Sequence, residues 1–248
     1  MRYALKIAYD GTNFCGWQIQ PNGRTVQAEL NAAASKVFGE QIVVTASGRT
    51  DSGVHAAGQI CHFDAQNIIE GEKVADALNV QLPPDVSVLA SAVVGGEFDS
   101  NRSAKRKTYV YRLYVSPRRN PLLSRYAVHL KDRPDAGKMR EAANLFIGEH
   151  DFAAYCASGS AVKTTVRTVY SIDVKEDGDF IDIEVCGNGF LYNMVRTLAG
   201  TLLFYAYGRL SKEDLTATVE RCDRARVGKT MPPEGLTLKS VDYEINPF

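Results

Sequence analysis

The sequence predicts an α+β fold: two similar halves that form a largely antiparallel central sheet flanked by helices, with a cleft between the halves. Three observations carry this prediction. Several segments alternate apolar and polar residues and end in turn residues, as in "RYALKIAYDG". Others place apolar residues at helical spacing, as in "TVQAELNAAASKVF". The order of strands and helices in the first half recurs in the second.

The first half opens with an alternating strand over residues 3–9 and the turn-rich "DGTNFCGWQIQPNGR". A helix over 25–38 follows, with Thr25 as N-cap and Val26, Leu30, Ala33, Ala34 and Val37 on its apolar face. A strand over 41–46 leads into the glycine-rich "ASGRTDSGVHAAGQICHF", and a strand over 59–64 leads out of it. A short helix over 72–78, the turn "QLPPD" and a strand over 86–94 complete this half.

In the second half a strand over 107–115 precedes a helix over 135–146 that ends before Gly148. Strands over 166–175 and 180–186 form a hairpin through "EDGD", and a helix spans 190–207. A polar helix over 211–222 and a strand over 236–243 close the chain. The segment "GGEFDSNRSAKRK" lacks hydrophobic periodicity and marks the seam. The expected organisation is an N-terminal half over 1–104 and a C-terminal half over 105–248, both of ferredoxin-like type.

With 248 residues and 45% hydrophobic content, the chain can bury a sizeable core. Its apolar runs fall far short of the roughly 20 residues that span a bilayer, and "MRYALKIAYD" has no signal-peptide core. A cytoplasmic protein with no membrane partner is therefore expected. The five cysteines are scattered, odd in number and never spaced C-x-x-C, which argues against a disulfide framework or a thiolate zinc site. No G-x-x-x-x-G-K-[ST] loop occurs and no G-x-G-x-x-G follows a strand, so nothing supports a nucleotide cofactor.

Lys plus Arg equals Asp plus Glu, so net charge advertises no nucleic-acid partner. Local clustering does. "NRSAKRKTYVYRLYVSPRRNPLLSRY" holds Arg102, Lys105, Arg106, Lys107, Arg112, Arg118, Arg119 and Arg125 with Tyr109, Tyr111 and Tyr114, and contains no acid. Cations neutralise phosphates and aromatic faces stack on unpaired bases, so the stretch suits a single-stranded or looped RNA. A strand with one solvated cationic face is the alternative.

Asp51 lies in a glycine-bounded turn between two strands, a place from which a carboxylate projects into a cleft. Arg49 on the same turn would hold it ionised, as a nucleophile or a base. A tight turn wants Asp and Gly for its own reasons, so the turn alone leaves both readings open. His55 and His62 flank a loop-to-strand junction with no carboxylate at ligand spacing, which disfavours a metal site. In "GNGFLYNMVRTLAG" the residues Leu191, Met194, Val195, Leu198 and Leu202 form an apolar stripe, and Arg196 sits one residue from it. Such a cation needs a partner or must snorkel to solvent. Trp17 fits a core plug or a stacking surface, with the core favoured.

Six stretches together resemble the tRNA pseudouridine synthases of the A type: "YDGTNFCGWQIQ" with "RTVQAEL", "GRTDSGVHAAGQICHF", "SAKRKTYVYRLY", "HDFAAY", "GNGFLYNMVRTLAG" and "PPEGLTLKSVDY". They occur in family order over almost the whole chain. The resemblance implies an enzyme that isomerises uridine to pseudouridine in the anticodon stem-loop of tRNA, as a homodimer without metal or organic cofactor. It places the catalytic carboxylate at Asp51, supporting arginines at Arg49 and Arg196, and the residue that stacks on the target base at Tyr109. Lys105, Arg106, Lys107 and Arg102 become candidate RNA contacts. One departure stands out: where the family has an F-x-A-R-F/Y-x-A pattern this chain reads "FDSNRSA", with Asn101 in the place of an Arg and Arg102 in the place of an aromatic. Two competing readings are a non-catalytic RNA-binding module and a hydrolase pairing Asp51 with Asp10 or Asp64; the lack of a second acid at a fixed motif position argues against the latter.

Overall fold

The computed structural model describes residues 1–157, 159 and 162–248. The chain divides into two units, Met1–Lys107 with Thr237–Phe248, and Thr108–Leu236. Each is a mixture of largely antiparallel strands and helices, as the sequence predicts.

In the first unit, strand β1 (Arg2–Tyr9) buries Tyr3, Leu5, Ile7 and Tyr9 on alternate positions. It lies between β3 (His55–Asp64) and β4 (Val86–Val94) and is antiparallel to both. Helix α1 (Val26–Phe38) starts at Thr25, whose side chain accepts the Ala28 N–H, and stops at Gly39, which takes the left-handed conformation (φ 68°). Its buried face holds Val26, Leu30, Ala33, Ala34 and Phe38; Val37, expected inside, is only half-buried. Phe38 packs on Tyr3 and Phe63 with ring centroids 5.2 and 5.3 Å apart. Burying these large side chains is worth about 1.5–3 kcal/mol each.

The strand expected over 41–46 is real only at its end, as β2 (Thr45–Ala46) against β3. The preceding backbone takes its partners from α1 instead. Ile42 N–H donates to Ser35 Oγ and Val44 N–H to Asn31 Oδ1, both at 2.9 Å, so no ladder is needed there. Helix α2 (Lys73–Asn79) covers β4, where the Asn79 amide bonds both the N–H and the C=O of Val88 at 2.8 and 2.9 Å. That contact satisfies the sheet edge at Val88.

The last strand, β10 (Leu236–Tyr243), has the expected bounds, but from Thr237 on it belongs with the first unit, not with the second half. It pairs parallel to β3, Thr237 with His55 and Leu238 with Ala56. Periodicity defines a strand and is silent about a partner so distant in sequence.

The second unit contains β5 (Ala104–Val115) from Thr108 onward, β6 (Val128–Leu130), β7 (Gly148–Asp151), β8 (Val166–Asp177) and β9 (Phe180–Gly187). The sheet order is β5, β9, β8, β7, with β6 parallel to β5. β8 and β9 form the expected hairpin, turning at Gly178 with φ 56°. Helix α3 (Ala136–Ala143) is capped by Asp135, and the last turn expected of it, Asn144–Phe146, is a 3-10 turn. Helix α5 (Lys212–Glu220) carries a capping box between Ser211 and Asp214.

Helix α4 (Met194–Ala206) begins later than residue 190, after Asn193, which has a left-handed φ of 62°. Leu191 is buried ahead of the helix rather than on it. The buried set is also wider than the predicted stripe, taking in Thr197, Ala199, Gly200, Thr201 and Leu203. The chain at 228–231 presses directly on this face: a Cβ on Gly200 would lie 1.8 Å from the Lys229 carbonyl oxygen. Gly200→Ala is accordingly expected to destabilise the protein by roughly 1–3 kcal/mol through overpacking. The check is the denaturant midpoint, which should fall with the slope unchanged.

Candidate functional site

The glycine-rich stretch leaves the sheet after Ala46 and returns at His55, so residues 47–54 have no ladder to satisfy their backbone. Buried side chains and neighbouring backbone do this instead. Ser47 N–H still donates to Ile60 C=O at 2.7 Å. The Ser47 hydroxyl donates to Gln59 Oε1, and Gln59 Nε2 donates to the Gly48 carbonyl at 2.8 Å. Lys107 Nζ donates to the Ser47 carbonyl at 2.5 Å. A Cβ on Gly48 would stand 3.1 Å from that ammonium, so glycine leaves the lysine its path.

Past Arg49 the chain is held again. Thr50 Oγ1 bonds the Tyr9 hydroxyl at 2.8 Å in the core, and Trp17 N–H donates to the Thr50 carbonyl at 3.0 Å. Trp17 is buried, as expected of a plug. Gly16, with φ 88°, lets the two segments meet, since a Cβ there would lie 2.7 Å from the Thr50 oxygen. Beyond Asp51, Gly53 N–H and the Ser52 hydroxyl both donate to the Phe14 carbonyl, and Val54 N–H closes a turn onto the Asp51 carbonyl at 3.1 Å. Gly53 takes φ 78° in that turn. Asp51 is thus carried half-buried on a turn fixed at both ends, while Arg49 is exposed.

His55 and His62 do not face a common point of use. His55 Nδ1 accepts the Gly11 N–H at 3.0 Å and lies 3.2 Å from Asp10 Oδ1. His62 Nδ1 bonds the Ser100 hydroxyl at 2.8 Å, and burial, then the charge of Arg2, pulls its pKa down. Among the described residues no group of three His, Cys, Asp or Glu could hold a metal ion.

Arg196 and Tyr109 lie in the second unit, on α4 and β5. Arg196 is half-buried; its Nε donates to the Met231 carbonyl at 2.7 Å and its Nη1 to Asn193 Oδ1 at 2.6 Å. The left-handed Asn193 therefore serves the arginine as well as starting the helix. Tyr109 is buried and meets Phe190 edge-to-face, with ring centroids 5.4 Å apart.

The basic-aromatic stretch divides on inspection. Tyr111 and Tyr114 are core residues, 0% and 1% exposed, so they offer no stacking face. Arg112 forms a two-pronged pair with Asp182 at 2.7 and 2.6 Å, and Lys105 lies 3.5 Å from Glu244. Lys107 points into the Asp51 loop as described. Arg106, Arg118, Arg119 and Arg125 are exposed.

The departure "FDSNRSA" is a turn organised by Asp99 and tied at Ser100 to the neighbouring strands. Asp99 accepts the N–H groups of Asn101 and Arg102 and the Arg102 Nε, each at 2.9 Å. Burial pushes the Asp99 carboxyl up, but these donors hold it below its usual range. Ser100 is buried and donates to the Thr45 carbonyl at 2.9 Å. Arg102 leaves the loop with its side chain 87% exposed.

Sequence reasoning missed Gln59, Ser47 and Tyr9 among the residues that hold the loop, and it gave Lys107 the role of an RNA contact instead. One signal was present. Gln59 stands in "GQICHF" at a position that alternation assigns to the core, where an amide requires bonded partners.

A family model described as tRNA pseudouridine synthase matches residues 6–100 and 142–244. The first stretch includes Arg49 and Asp51, the second Arg196, and Tyr109 lies between them. Over 241 residues the chain is 44% identical to the tRNA pseudouridine synthase A of Ruminiclostridium cellulolyticum, spanning 96% of this chain and 98% of that one. It is 44% identical over 246 residues to the protein of the same name from Listeria innocua, spanning 98% and 99%. The Bacillus velezensis protein of that name gives 44% over 246 residues, spanning 98% and 100%.

Burial holds the phenols of Tyr9 and Tyr243 above their ordinary range, with the bonds of Tyr9 to Thr50 and Gln59 opposing in part. The unfolded chain ionises its tyrosines near pH ~10. The folded protein keeps these protons longer, so their contribution to stability is complete below that pH and is lost as pH rises through and above it. Thermal melts should show a falling midpoint above about pH 10. Ultraviolet difference spectra should show these phenols ionising only as the protein unfolds.

Proposed function

The chain belongs to the tRNA pseudouridine synthase family, and we propose that it isomerises uridine to pseudouridine in the anticodon stem-loop of tRNA with Asp51 as the catalytic carboxylate. The observation that supports this most is the placing of Asp51: a half-buried acid on a turn whose flanking residues are hydrogen-bonded to buried partners on both sides. A turn that needed Asp only for its own geometry would not call for Gln59 and Lys107 to be directed at its backbone and Tyr9 at its Thr50 hydroxyl.

The reaction breaks the bond from ribose C1′ to N1, turns the uracil, and joins C1′ to C5. The C5 proton is lost and N1 gains one, so atoms and electrons balance with no oxidant, reductant or organic cofactor. Asp51 starts the exchange by attack at C1′ or C6, or by removing the C2′ proton; all three need it ionised and close to the nucleoside. Arg49 and Arg196 supply positive charge that keeps the carboxylate ionised. The target base must leave its stack, at a cost of a few kcal/mol, and stacking on Tyr109 offsets part of that.

Arg102, Lys105 and Arg106 are offered to phosphates. Lys107 has its ammonium on the Ser47 carbonyl, which favours a loop-holding role over a phosphate contact. The functional unit is proposed to be a cytoplasmic homodimer, so that a neutral chain binds RNA through locally basic surface rather than through net charge. Among the described residues no helix is long and apolar enough to cross a membrane.

The test is incubation with tRNA transcripts followed by mapping of pseudouridine. Wild-type protein should modify the anticodon arm, and Asp51→Asn should lose roughly 10³-fold or more in rate while holding tRNA within about threefold of wild-type affinity. Undiminished modification by Asp51→Asn would remove the assignment. A wild type that binds tRNA and leaves every uridine unchanged would favour the non-catalytic RNA-binding reading.

A further inference from the structure

We propose that Gln59 is a positioning residue for Asp51, acting through the backbone of the loop that carries it. The inference rests on the reading of Asp51 given above. Gln59 lies in β3 and is 0% exposed, beside the equally buried Ser47. A buried primary amide is costly unless its donors and acceptor are met. Here one end accepts from the Ser47 hydroxyl and the other donates to the Gly48 carbonyl. The first bond falls on the last residue that the ladder reaches and the second on Gly48, which the sheet no longer holds.

The strand ladder already satisfies the loop as far as Ser47 N–H, which donates to Ile60 C=O. An apolar residue at position 59 would serve the core of β3 equally well by volume. What it could not do is fix Gly48, the last residue before Arg49. On the far side Tyr9 and Trp17 fix Thr50. Gln59 therefore sets one of the two anchor points between which Arg49 and Asp51 are presented, and Lys107 braces the same anchor from the Ser47 carbonyl.

The groups packed around the amide fit this static role. Tyr9 and Tyr243, which approach Gln59 and Ser47, are held neutral by burial, and Cys61 is likewise raised by burial. Lys107 is the cation facing the same turn. Gln59 reaches no substrate atom in this account; its effect is on where the carboxylate stands. Displacements of about 1 Å at a reacting group cost on the order of 10²-fold in rate.

The experiment compares single-turnover rates and tRNA affinities of wild type, Gln59→Met, Ser47→Ala and the double variant, each scaled to its folded fraction by circular dichroism. Gln59→Met keeps the volume and loses both anchor bonds together with the amide's bond to Tyr9; Ser47→Ala loses the bond to Gln59 and the hydroxyl's bond to Tyr243. The expected result is a rate loss of roughly 10²-fold for Gln59→Met and about tenfold for Ser47→Ala, with tRNA affinity within about threefold of wild type. The double variant should be no slower than Gln59→Met, because both residues act on one anchor. A residue with a merely structural role would lower stability and leave the rate per folded molecule untouched. Wild-type rates in the folded variants, rate losses matched by equal losses of affinity, or losses that multiply in the double variant would each overturn the proposal. If Gln59→Met does not fold, Ser47→Ala decides by the same criteria. A wild type that makes no pseudouridine refutes the underlying assignment instead, and is seen before any variant is compared.

Discussion

Eight residues of the first unit, from Ser47 to Val54, leave the sheet and must find their hydrogen bonds elsewhere, and much of the unit's local chemistry follows from that constraint. Unpaired buried backbone is too costly to leave in place. A polar side chain therefore appears in the core of β3 where an apolar one would pack as well, Gln59 on the Gly48 carbonyl, while the buried Thr50 hydroxyl finds its own partner in Tyr9. The glycines follow from the same need. Gly11, Gly16 and Gly48 sit where a Cβ would meet Val54, Thr50 or Lys107; of these Gly16 also takes a positive φ, as does Gly53 in the turn. The loop is thereby pinned on both sides of Arg49 and Asp51, and a fixed position is what a group that must meet a reacting atom requires.

The second unit solves a related problem around Arg196. The Arg196 backbone carbonyl accepts from Met231 N–H at 3.3 Å while its Nε donates to the Met231 carbonyl at 2.7 Å. That reciprocal contact depends on the close crossing of the 228–231 segment over α4, which Gly200 and Gly228 permit. Tyr111 ties the same segment down, donating to the Pro232 carbonyl at 2.8 Å from deep in the core. Helix packing, loop path and guanidinium orientation are thus one arrangement, so a change at Gly200 would be felt at Arg196.

Much of this was legible in the sequence, and the reasons are physical. Helix α1 could be read because a cap, a periodic apolar face and a terminal glycine all agree over "TVQAELNAAASKVFG". The strand 86–94 was found to the residue because apolar positions and flanking turn residues coincide. Family membership was readable from six ordered motifs. The misses share a cause, which is that partners distant in sequence decide them. Residues 41–44 look like a strand until Ser35 and Asn31 take their N–H groups. Tyr111 and Tyr114 look like stacking surface until the core covers them. β10 looks like the end of the second half until it pairs with β3. Gln59 stands where alternation puts the core, but its partners emerge only with the path of the loop, and it was missed.

In the proposed reaction Asp51 acts from a fixed position, not merely as a nearby negative charge. The most direct test is Asp51→Glu, which keeps the carboxylate and moves it outward by one methylene. Single-turnover pseudouridine formation on a saturating excess of enzyme should fall by roughly 10²-fold or more, with tRNA affinity unchanged within about twofold. A rate for Asp51→Glu close to that of the wild type would contradict the account, because a loosely placed carboxylate would then suffice.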